Sequence, residues 1–361
     1  MSKVYNFNAG PAILPQPVLD QAQQELRDYH GRGMSILEMS HRSKEYEAIN
    51  TEAEAAFKRL LGLGDEYRVL FLQGGASMQF AMLPLNFLPA GATADYLING
   101  AWGEKAYEEG AKLGQARVAA NTSATGFSRV SAADEIELSD ASAYVHITSN
   151  ETIHGVQWSA WPDVGDRPLV ADMSSDILSR PLDAHKFALI YAGAQKNLGP
   201  AGATVVIARQ SWLDSASKTA PTMLRYATHA KNNSLYNTPP VYAVYLLNLV
   251  LEWIEETGGL EQMAKRNDLK AKTVYNAIDG SGGFYRGHAA LDSRSQMNVT
   301  FRLPSEELEK RFAGEATAAG MIGLAGHRSV GGIRASIYNA MSQEGVATLA
   351  SLMNEFARKN G

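Results

Sequence analysis

Residues 191–202 read YAGAQKNLGPAG, which places Lys196 among small residues between the apolar runs 188–191 and 204–208. Both runs are rich in residues that favour buried strands. Similar runs occur earlier in the chain, at 69–72, 94–98, 143–148 and 169–171. Helical patterns separate runs of this kind, and the alternation predicts an α/β fold with a mainly parallel sheet covered by helices.

Two of the predicted helices carry start and stop signals. Residues 43–61 place apolar side chains at helical spacing, and Gly62 and Gly64 can end that helix. A longer helix is expected to begin at Pro239 and Pro240, with Thr238 capping its first turn, and to run to about residue 256. The first helix would pack one face inward, and the second would close the large domain.

The length of the chain predicts two domains of unequal size, because 361 residues exceed the size at which a single core usually stops growing. Residues 16–257 are expected to form the large domain. Residues 258–361 are expected to form a smaller α/β domain, with residues 1–15 packed against it. Its predicted elements are helices at 259–277, 305–319 and 343–359 and strands at 297–301 and 333–337.

The composition excludes several classes of protein but does not indicate which reaction the protein performs. Hydrophobic residues make up 45% and charged residues 20% of the chain, as in ordinary globular proteins. A net charge of -5 without a basic block argues against nucleic-acid binding. The absence of cysteine excludes disulfides and thiolate chemistry and favours a reducing compartment. With no apolar run long enough for a membrane span, we expect a cytoplasmic protein without membrane or nucleic-acid partners.

A carboxylate and an amine are predicted to lie at neighbouring strand ends. Asp172 and Lys196 each follow a predicted strand, at the edge where open α/β sheets bind ligands. A lysine amine can form an imine with pyridoxal phosphate, and a carboxylate can keep the ring nitrogen of that cofactor protonated. Either residue alone is more often structural. The small residues around Lys196 favour an enzyme that holds pyridoxal phosphate on this lysine.

Residues 74–77 read GGAS and follow a predicted strand. Glycines let backbone N–H groups approach an anion, and the N-terminus of a following helix adds its positive dipole end. The segment therefore suits a phosphate, although Gly-Gly turns without any ligand are about equally common. The chain has neither P-loop spacing nor a Gly-x-Gly-x-x-Gly fingerprint, which disfavours a nucleotide.

Three further residues follow predicted strands. Trp102 could stack on a cofactor ring, although a core or interface tryptophan is the usual alternative. Thr152, within the sequence NETIHGV at 150–156, could bond a ring hydroxyl. His154 of the same segment is interpreted as an ordinary loop histidine, because no second ligand stands at metal-binding spacing. No metal site is predicted.

Two His-Arg pairs, His41-Arg42 and His327-Arg328, suggest the substrate end of a site, with Arg334 close behind the second pair. Arginine guanidinium groups suit bidentate capture of carboxylate or phosphate. Exposed pairs of this kind also occur on inert surfaces. The glycines between Arg328 and Arg334 favour a functional role.

Taken together, these segments resemble the phosphoserine aminotransferases, fold-type I pyridoxal-phosphate enzymes of the class-V aminotransferase family. The resemblance extends over essentially the whole chain. It rests on NFNAGPA at 6–12, SHR at 40–42, NETIHG at 150–155, GAQKN at 193–197, YNTPP at 236–240 and RASIYN at 334–339.

The resemblance implies a role for each candidate residue. Around the cofactor ring it implies Lys196 as the imine-forming and catalytic residue, Asp172 on the ring nitrogen, Trp102 stacked on the ring and Thr152 near the ring hydroxyl. At the cofactor phosphate it implies Ala76, Ser77 and Gln195, together with Asn237 and Thr238 of a neighbouring subunit. That arrangement implies a homodimer with shared active sites. Some members have Arg at the position of Ser77, so the individual phosphate contacts stay open.

For the substrate, the resemblance implies Ala9 near the site, Arg334 on the α-carboxylate, and His41, Arg42, His327 and Arg328 on the distal anion. The implied reaction transfers an amino group from L-glutamate to 3-phosphohydroxypyruvate, giving O-phospho-L-serine and 2-oxoglutarate in serine biosynthesis. The pocket could also accept 3-hydroxy-2-oxo-4-phosphobutanoate, an intermediate of vitamin B6 synthesis.

Three alternative functions differ from this one in the residues or domains that they require. A serine or alanine to glyoxylate aminotransferase shares the fold but would not need the double His-Arg cluster. A cysteine desulfurase needs a catalytic thiol, which this chain lacks. A non-enzymatic pyridoxal-phosphate sensor is expected to carry an added DNA-binding domain, and no chain length is left over for one.

Overall fold

The structure, a computed structural model, describes residues 4–361. Its strands are β1 (Tyr5–Asn6), β2 (Tyr67–Leu72), β3 (Thr93–Ile98), β4 (Gln115–Asn121), β5 (Ser142–Thr148), β6 (Asn150–Glu151), β7 (Val156–Gln157), β8 (Leu169–Asp172), β9 (Phe187–Gly193), β10 (Thr204–Arg209), β11 (Arg286–Gly287), β12 (Asn298–Arg302), β13 (Met321–Ile322) and β14 (Ile333–Ser336). Its α-helices are α1 (Gln16–Glu25), α2 (Lys44–Leu61), α3 (Gly75–Phe87), α4 (Ala101–Leu113), α5 (Gln210–Asp214), α6 (Tyr226–Lys231), α7 (Val241–Glu256), α8 (Gly259–Asp279), α9 (Glu306–Ala318) and α10 (Gln343–Asn360).

The central sheet has the strand order β2-β10-β9-β8-β5-β3-β4. Pairing is parallel from β9 through β8, β5 and β3 to β4, whereas β10 is antiparallel to both β9 and β2. The predicted α/β fold with a mainly parallel sheet is therefore confirmed. Strand β4 was not predicted, because it lies at the sheet edge and its mixed sequence QARVAAN lacks a continuous apolar run.

The predicted helix at 43–61 is confirmed as α2. Ser43 caps it by accepting a hydrogen bond from the backbone N–H of Tyr46 at 3.2 Å. Gly62 ends it with a φ of 65°, a left-handed conformation that costs glycine little. Sequence and structure agree here because both signals are local.

The start predicted for α7 is wrong. The helix begins at Val241 after Pro240, and Thr238 makes no cap. The Val241 N–H instead donates to the carbonyl oxygen of Pro239 at 2.8 Å. Pro240 has a ψ of 77°, outside the helical region, so the helix starts too far along the chain for Thr238 to reach its first turn.

The C-terminal third forms a smaller sheet, β11-β12-β14, that packs with α8, α9 and α10. Its buried cluster also holds Tyr5 and Phe7, because β1 pairs in parallel with β13. The first buried residues of α8, Leu260 and Met263, belong instead to the cluster of the large sheet. The boundary at 257 and 258 stays a prediction, and the part of the 1–15 prediction that concerns residues 1–3 lies outside the described residues. Within residues 4–361, no helix combines the length and apolar character that crossing a membrane requires.

Candidate active site

The candidate site lies where the parallel strands β8 and β9 end at one edge of the sheet. Asp172 is the last residue of β8 and is buried, and Lys196 lies in the turn that follows β9. The strand register pairs Asp172 with Thr148 of β5 and with Tyr191 of β9. The two residues therefore stand at the ligand-binding edge of an open α/β sheet.

The small residues around Lys196 shape its turn. The carbonyl oxygen of Ala194 accepts hydrogen bonds from the N–H groups of Leu198 at 3.2 Å and Gly199 at 2.8 Å. Gly199 has a φ of 153°, and a Cβ there would lie 3.4 Å from the Cα of Leu247 in α7. Glycine thus permits both the tight turn and the close approach of α7.

The structure brings Lys196, Thr152 and Trp102 together. The Lys196 Nζ donates to the Thr152 Oγ1 at 2.6 Å, and it lies 5.6 Å from the centroid of the Trp102 ring. Thr152 occupies the turn between β6 and β7, and Trp102 lies in the first turn of α4, which follows β3. Residues from two other segments therefore lie next to the Lys196 amine.

The environment of Lys196 makes its amine unusually acidic. Burial is the main cause that lowers the pKa of Lys196, to about 8, and the charge of Arg334 adds to this effect. The carboxylates of Asp172 and Glu151 act in the opposite direction. A substantial fraction of the amine is thus neutral near pH 8, which a nucleophile or general base requires.

Opposing effects act on the ionisation of Asp172, and burial is the largest of them. Burial raises the pKa of Asp172, whereas hydrogen bonding to Ser174 and the charge of Lys196 oppose that shift. One contact is from the backbone N–H of Ser174 to the Asp172 Oδ1 at 2.8 Å. The Ser174 Oγ also accepts from the Gly193 N–H at 3.0 Å, which ties this loop to β9. Such a carboxylate can stabilise a cationic ligand atom.

The predicted glycine turn opens α3 next to the Lys196 loop. Gly74 and Gly75 have φ angles of 87° and 63°, and a Cβ on Gly74 would lie 2.5 Å from the Cβ of Met78. The Gly75 N–H donates to the Thr204 Oγ1 at 2.7 Å. Since Thr204 pairs with Gly193 in the sheet, the turn adjoins the end of β9.

Ala76 and Ser77 occupy the first turn of α3, where the N-terminal dipole end of the helix favours an anion. Ala76 is half-buried and Ser77 is exposed. Gln195, half-buried beside Lys196, reaches back over Gly193, where an added Cβ would meet its Oε1 at 2.6 Å. These positions suit a phosphate.

Arg334 lies on β14 of the smaller sheet, and Ala9 lies in the N-terminal segment after β1. The Arg334 Nη1 lies 3.5 Å from the carbonyl oxygen of Thr152, and its Nε is buried without a partner in the described part of the chain. The carbonyl oxygen of Ala9 accepts from the Tyr338 hydroxyl at 2.7 Å. A Cβ on the adjacent Gly10 would lie 3.5 Å from the Lys196 Cγ. Arg334 is therefore placed to take an anionic ligand.

Both arginines of the two His-Arg pairs are exposed, whereas both histidines are half-buried. Burial, followed by the charge of Arg334, lowers the pKa of His327, so these two side chains are within electrostatic range. Arg328 and Arg42 are exposed, and the Nε2 of half-buried His41 has no partner among residues 4–361. Across the same residues, no hydrogen bond or ion pair joins either His-Arg pair to Lys196.

Asn237 and Thr238 precede α7, Asn237 half-buried and Thr238 exposed. Asn237 lines a cavity together with Gly74 and two exposed methionines, Met78 and Met223, of its own chain. The structure thus puts Asn237 beside the glycine turn without a second subunit. A contribution across a subunit interface stays a prediction.

Glu151 was missed as a site residue, although it lies in the quoted NETIHG segment. It is 1% exposed and accepts hydrogen bonds from the backbone N–H groups of Trp102 and Gly103. A glutamate in a short polar segment normally faces solvent. Two glycines near Trp102, Gly100 and Gly103, were the available signal, because their lack of a side chain makes room for the Glu151 carboxylate.

Comparison with known proteins identifies what the chain resembles. The family model described as "Aminotransferase class-V" matches residues 4–349. A phosphoserine aminotransferase from Herpetosiphon aurantiacus is 64% identical over 358 residues, covering 99% of each chain. The solved phosphoserine aminotransferase of Bacillus circulans subsp. alkalophilus is 56% identical, with a TM-score of 0.98 and 99% of each chain covered. A structure of pyridoxal-phosphate-bound phosphoserine aminotransferase from Trichomonas vaginalis is 38% identical, with a TM-score of 0.93 over 97% of this chain and 99% of that one.

Proposed function

Since the chain belongs to the class-V aminotransferase family, we propose that it is a phosphoserine aminotransferase that uses pyridoxal phosphate. It transfers an amino group reversibly between L-glutamate and 3-phosphohydroxypyruvate, giving O-phospho-L-serine and 2-oxoglutarate. The observation that carries the proposal is the half-buried Lys196, whose Nζ lies 2.6 Å from the Thr152 Oγ1, together with the buried Asp172 at the end of the adjacent strand β8. A glyoxylate aminotransferase is not favoured, given full-length identity of 64% to a phosphoserine aminotransferase.

The residues present fit pyridoxal phosphate. The Lys196 Nζ donates to the neutral hydroxyl of Thr152, and within residues 4–361 it forms no ion pair with a carboxylate. No ion pair therefore has to break before the amine reacts. The buried Nε1 of Trp102 and Nε of Arg334 lack partners within residues 4–361, as expected for a site that receives a polar ligand. We assign the cofactor ring to Lys196, Asp172, Trp102 and Thr152, and the cofactor phosphate to Ala76, Ser77 and Gln195.

The chemistry that bound pyridoxal phosphate supplies is electron withdrawal from the substrate Cα. The Lys196 Nζ, neutral in part near pH 8, accepts the proton from that carbon and later returns one. The Asp172 carboxylate holds a proton on the ring nitrogen through its charge. Trp102 covers the ring, and the Thr152 hydroxyl orients the Lys196 amine.

We assign the substrate α-carboxylate to Arg334 and a neighbouring position to Ala9. The distal anion is assigned to His327, Arg328, His41 and Arg42. Glutamate and phosphoserine both carry an α-carboxylate and a distal anion, so one cationic cluster can serve both half-reactions. The same cluster would admit 3-hydroxy-2-oxo-4-phosphobutanoate, which an assay with that oxo-acid tests directly.

Substrate choice gives the first prediction. The kcat/KM for 3-phosphohydroxypyruvate is expected to exceed that for unphosphorylated 3-hydroxypyruvate or glyoxylate by about 100-fold, because charge-assisted hydrogen bonds to a phosphate contribute about 1.5 to 3 kcal/mol each. Coupled assays of 2-oxoglutarate formation measure both rates.

Arg328→Gln should reduce kcat/KM for the phosphorylated acid and for glutamate, which both carry a distal anion, and leave kcat/KM for the unphosphorylated acids unchanged. Exposed Arg286→Gln should change none of these values. Equal rates with the two kinds of oxo-acid would refute the substrate assignment and favour the glyoxylate enzyme.

The acidity of Lys196 gives the second prediction. In the cofactor-free enzyme, labelling of Lys196 by acetic anhydride is expected to rise with pH through a midpoint near 8, because burial disfavours the charged amine. Peptide mass spectrometry measures the labelled fraction, with the exposed Lys186 as the internal reference. If Lys196 and Lys186 followed the same pH dependence, the site would not lower the pKa of its amine.

We also propose that the enzyme is a cytoplasmic homodimer in which Asn237 and Thr238 reach the cofactor phosphate of the partner subunit. The exposed Met78 and Met223 beside Asn237 support an interface on this face. Sedimentation equilibrium is expected to give about twice the 39.1 kDa mass of the chain. A monomer retaining full activity would contradict shared active sites.

The domain division at 16–257 and 258–361, with the N-terminal segment packed on the smaller domain, is part of the same proposal. It is supported by the separate buried clusters of the two sheets and by the pairing of β1 with β13. Limited proteolysis that cuts first near residue 258 would support this boundary.

A further inference from the structure

The Glu151 carboxylate bridges two backbone N–H groups at the start of α4, the helix that carries Trp102. Its Oε2 accepts from the Trp102 N–H at 3.1 Å, and its Oε1 accepts from the Gly103 N–H at 2.8 Å. Gly100, the residue before α4, provides no side-chain cap. Two N-terminal donors of α4 are thus satisfied by a carboxylate about 50 residues away in the sequence, on the hairpin that also presents Thr152.

The glycines beside Trp102 fit this carboxylate closely. A Cβ on Gly100 would lie 2.4 Å from the Glu151 Cδ, and one on Gly103 would lie 3.4 Å from its Oε1. Gly100 has a φ of 171°, an extended conformation that any residue adopts. Its lack of a side chain is therefore explained by the position of the Glu151 carboxylate and not by backbone conformation.

Glu151 is also part of the charge balance around Lys196. The charged groups that influence the Lys196 amine are Asp172 on β8, Asp176 after it, Arg334 on β14, and Glu151. Burial raises the pKa of Glu151 to about 7, whereas its two backbone hydrogen bonds and the charge of Lys196 oppose the shift. Both carboxylate oxygens act as acceptors, which is the bonding pattern of the ionised form.

We propose that Glu151 is a positioning residue that fixes the Trp102 end of α4 to the Thr152 hairpin and stabilises positive charge on the Lys196 nitrogen. The inference rests on the proposed role of Lys196. The two buried carboxylates then have different roles. Asp172 stabilises the protonated ring nitrogen, whereas Glu151 stabilises the charged Lys196 amine and holds the start of α4 in place.

The test compares Glu151→Gln with Glu104→Gln in the full-length enzyme. Glu104 lies in the first turn of α4, as Trp102 and Gly103 do, but its side chain is exposed. Its substitution therefore removes a negative charge without removing the hydrogen bonds that Glu151 accepts. In the cofactor-free protein, the Lys196 labelling midpoint is expected to fall by about one pH unit in Glu151→Gln, because a nearby negative charge is lost. It should stay unchanged in Glu104→Gln.

A second variant keeps the negative charge of Glu151 but displaces its carboxylate. Gly100→Ala puts a methyl group where the Glu151 carboxylate lies, so we expect a lower thermal unfolding midpoint and a Lys196 midpoint shifted in the same direction as in Glu151→Gln. This variant decides the question if Glu151→Gln does not fold.

The inference is overturned if the Lys196 midpoint is unchanged in both Glu151→Gln and Gly100→Ala, or if Glu104→Gln shifts it equally. Failure of the proposed function has a different signature: borohydride would then trap no cofactor on Lys196 in the unaltered enzyme.

Discussion

Lys196→Ala is expected to reduce the rate of amino transfer by about 10⁴-fold, because the variant loses both the imine-forming amine and the general base. The site otherwise keeps its shape, since the turn around residue 196 is formed by backbone hydrogen bonds from Leu198 and Gly199. Single-turnover reaction of the cofactor-loaded variant with glutamate, followed by absorbance, measures the loss.

Exposed Lys186→Ala serves as the matched control and should retain full activity. Borohydride reduction of the unaltered enzyme, followed by peptide mass analysis, should find the pyridoxyl group on the peptide that contains Lys196. Its recovery on another lysine, or undiminished activity of Lys196→Ala, would remove the basis of the mechanism.

Asp172→Asn is expected to reduce kcat by about 10²- to 10³-fold, because removing a preorganised charge from a buried site has an effect of that size. The loss should appear in kcat with both amino donors, since Asp172 is assigned to the cofactor and not to the substrate. Exposed Asp166→Asn, just before β8, should have no effect. A variant that changed only the KM for one substrate would contradict this assignment.

The stability of Asp172→Asn should move in the opposite direction from its activity. Burial raises the folded-state pKa of Asp172 above its unfolded value, so the stability associated with its protonated form is lost as the pH rises through the folded pKa. The ionised carboxylate therefore destabilises the cofactor-free fold at neutral pH. Asp172→Asn should unfold at an equal or higher temperature than the unaltered protein at pH 8, and the difference should shrink toward pH 4.

Local signals were predicted well from the sequence. Helix α2 begins after Ser43 and ends at Gly62 because capping and left-handed backbone depend on residues within a few positions of each other. Local signals alone did not predict where α7 begins. There, two consecutive prolines fit a helix start, but the backbone of Pro240 leaves the helical region and Thr238 stays outside.

Contacts between distant segments could not be predicted in the same way. Edge strand β4 forms because β3 offers a free edge, not because its own sequence is strongly apolar. The sequence indicated Thr152 and Trp102 as candidates, but not that the Thr152 hydroxyl meets the Lys196 amine. Glu151 was passed over because its partners, the N–H groups of Trp102 and Gly103, are far away in the chain.

By itself, the sequence determined the alternating α/β pattern, the positions of Asp172 and Lys196 at strand ends, and the motifs shared with an aminotransferase family. Tertiary structure decided the protonation of the site, because burial and the charges of Asp172, Glu151 and Arg334 together set the pKa of Lys196 near 8. The cap and the stop of α2 depend on residues close together along the chain. Electrostatics depends on distance through space and on exclusion of water, which only the folded chain establishes.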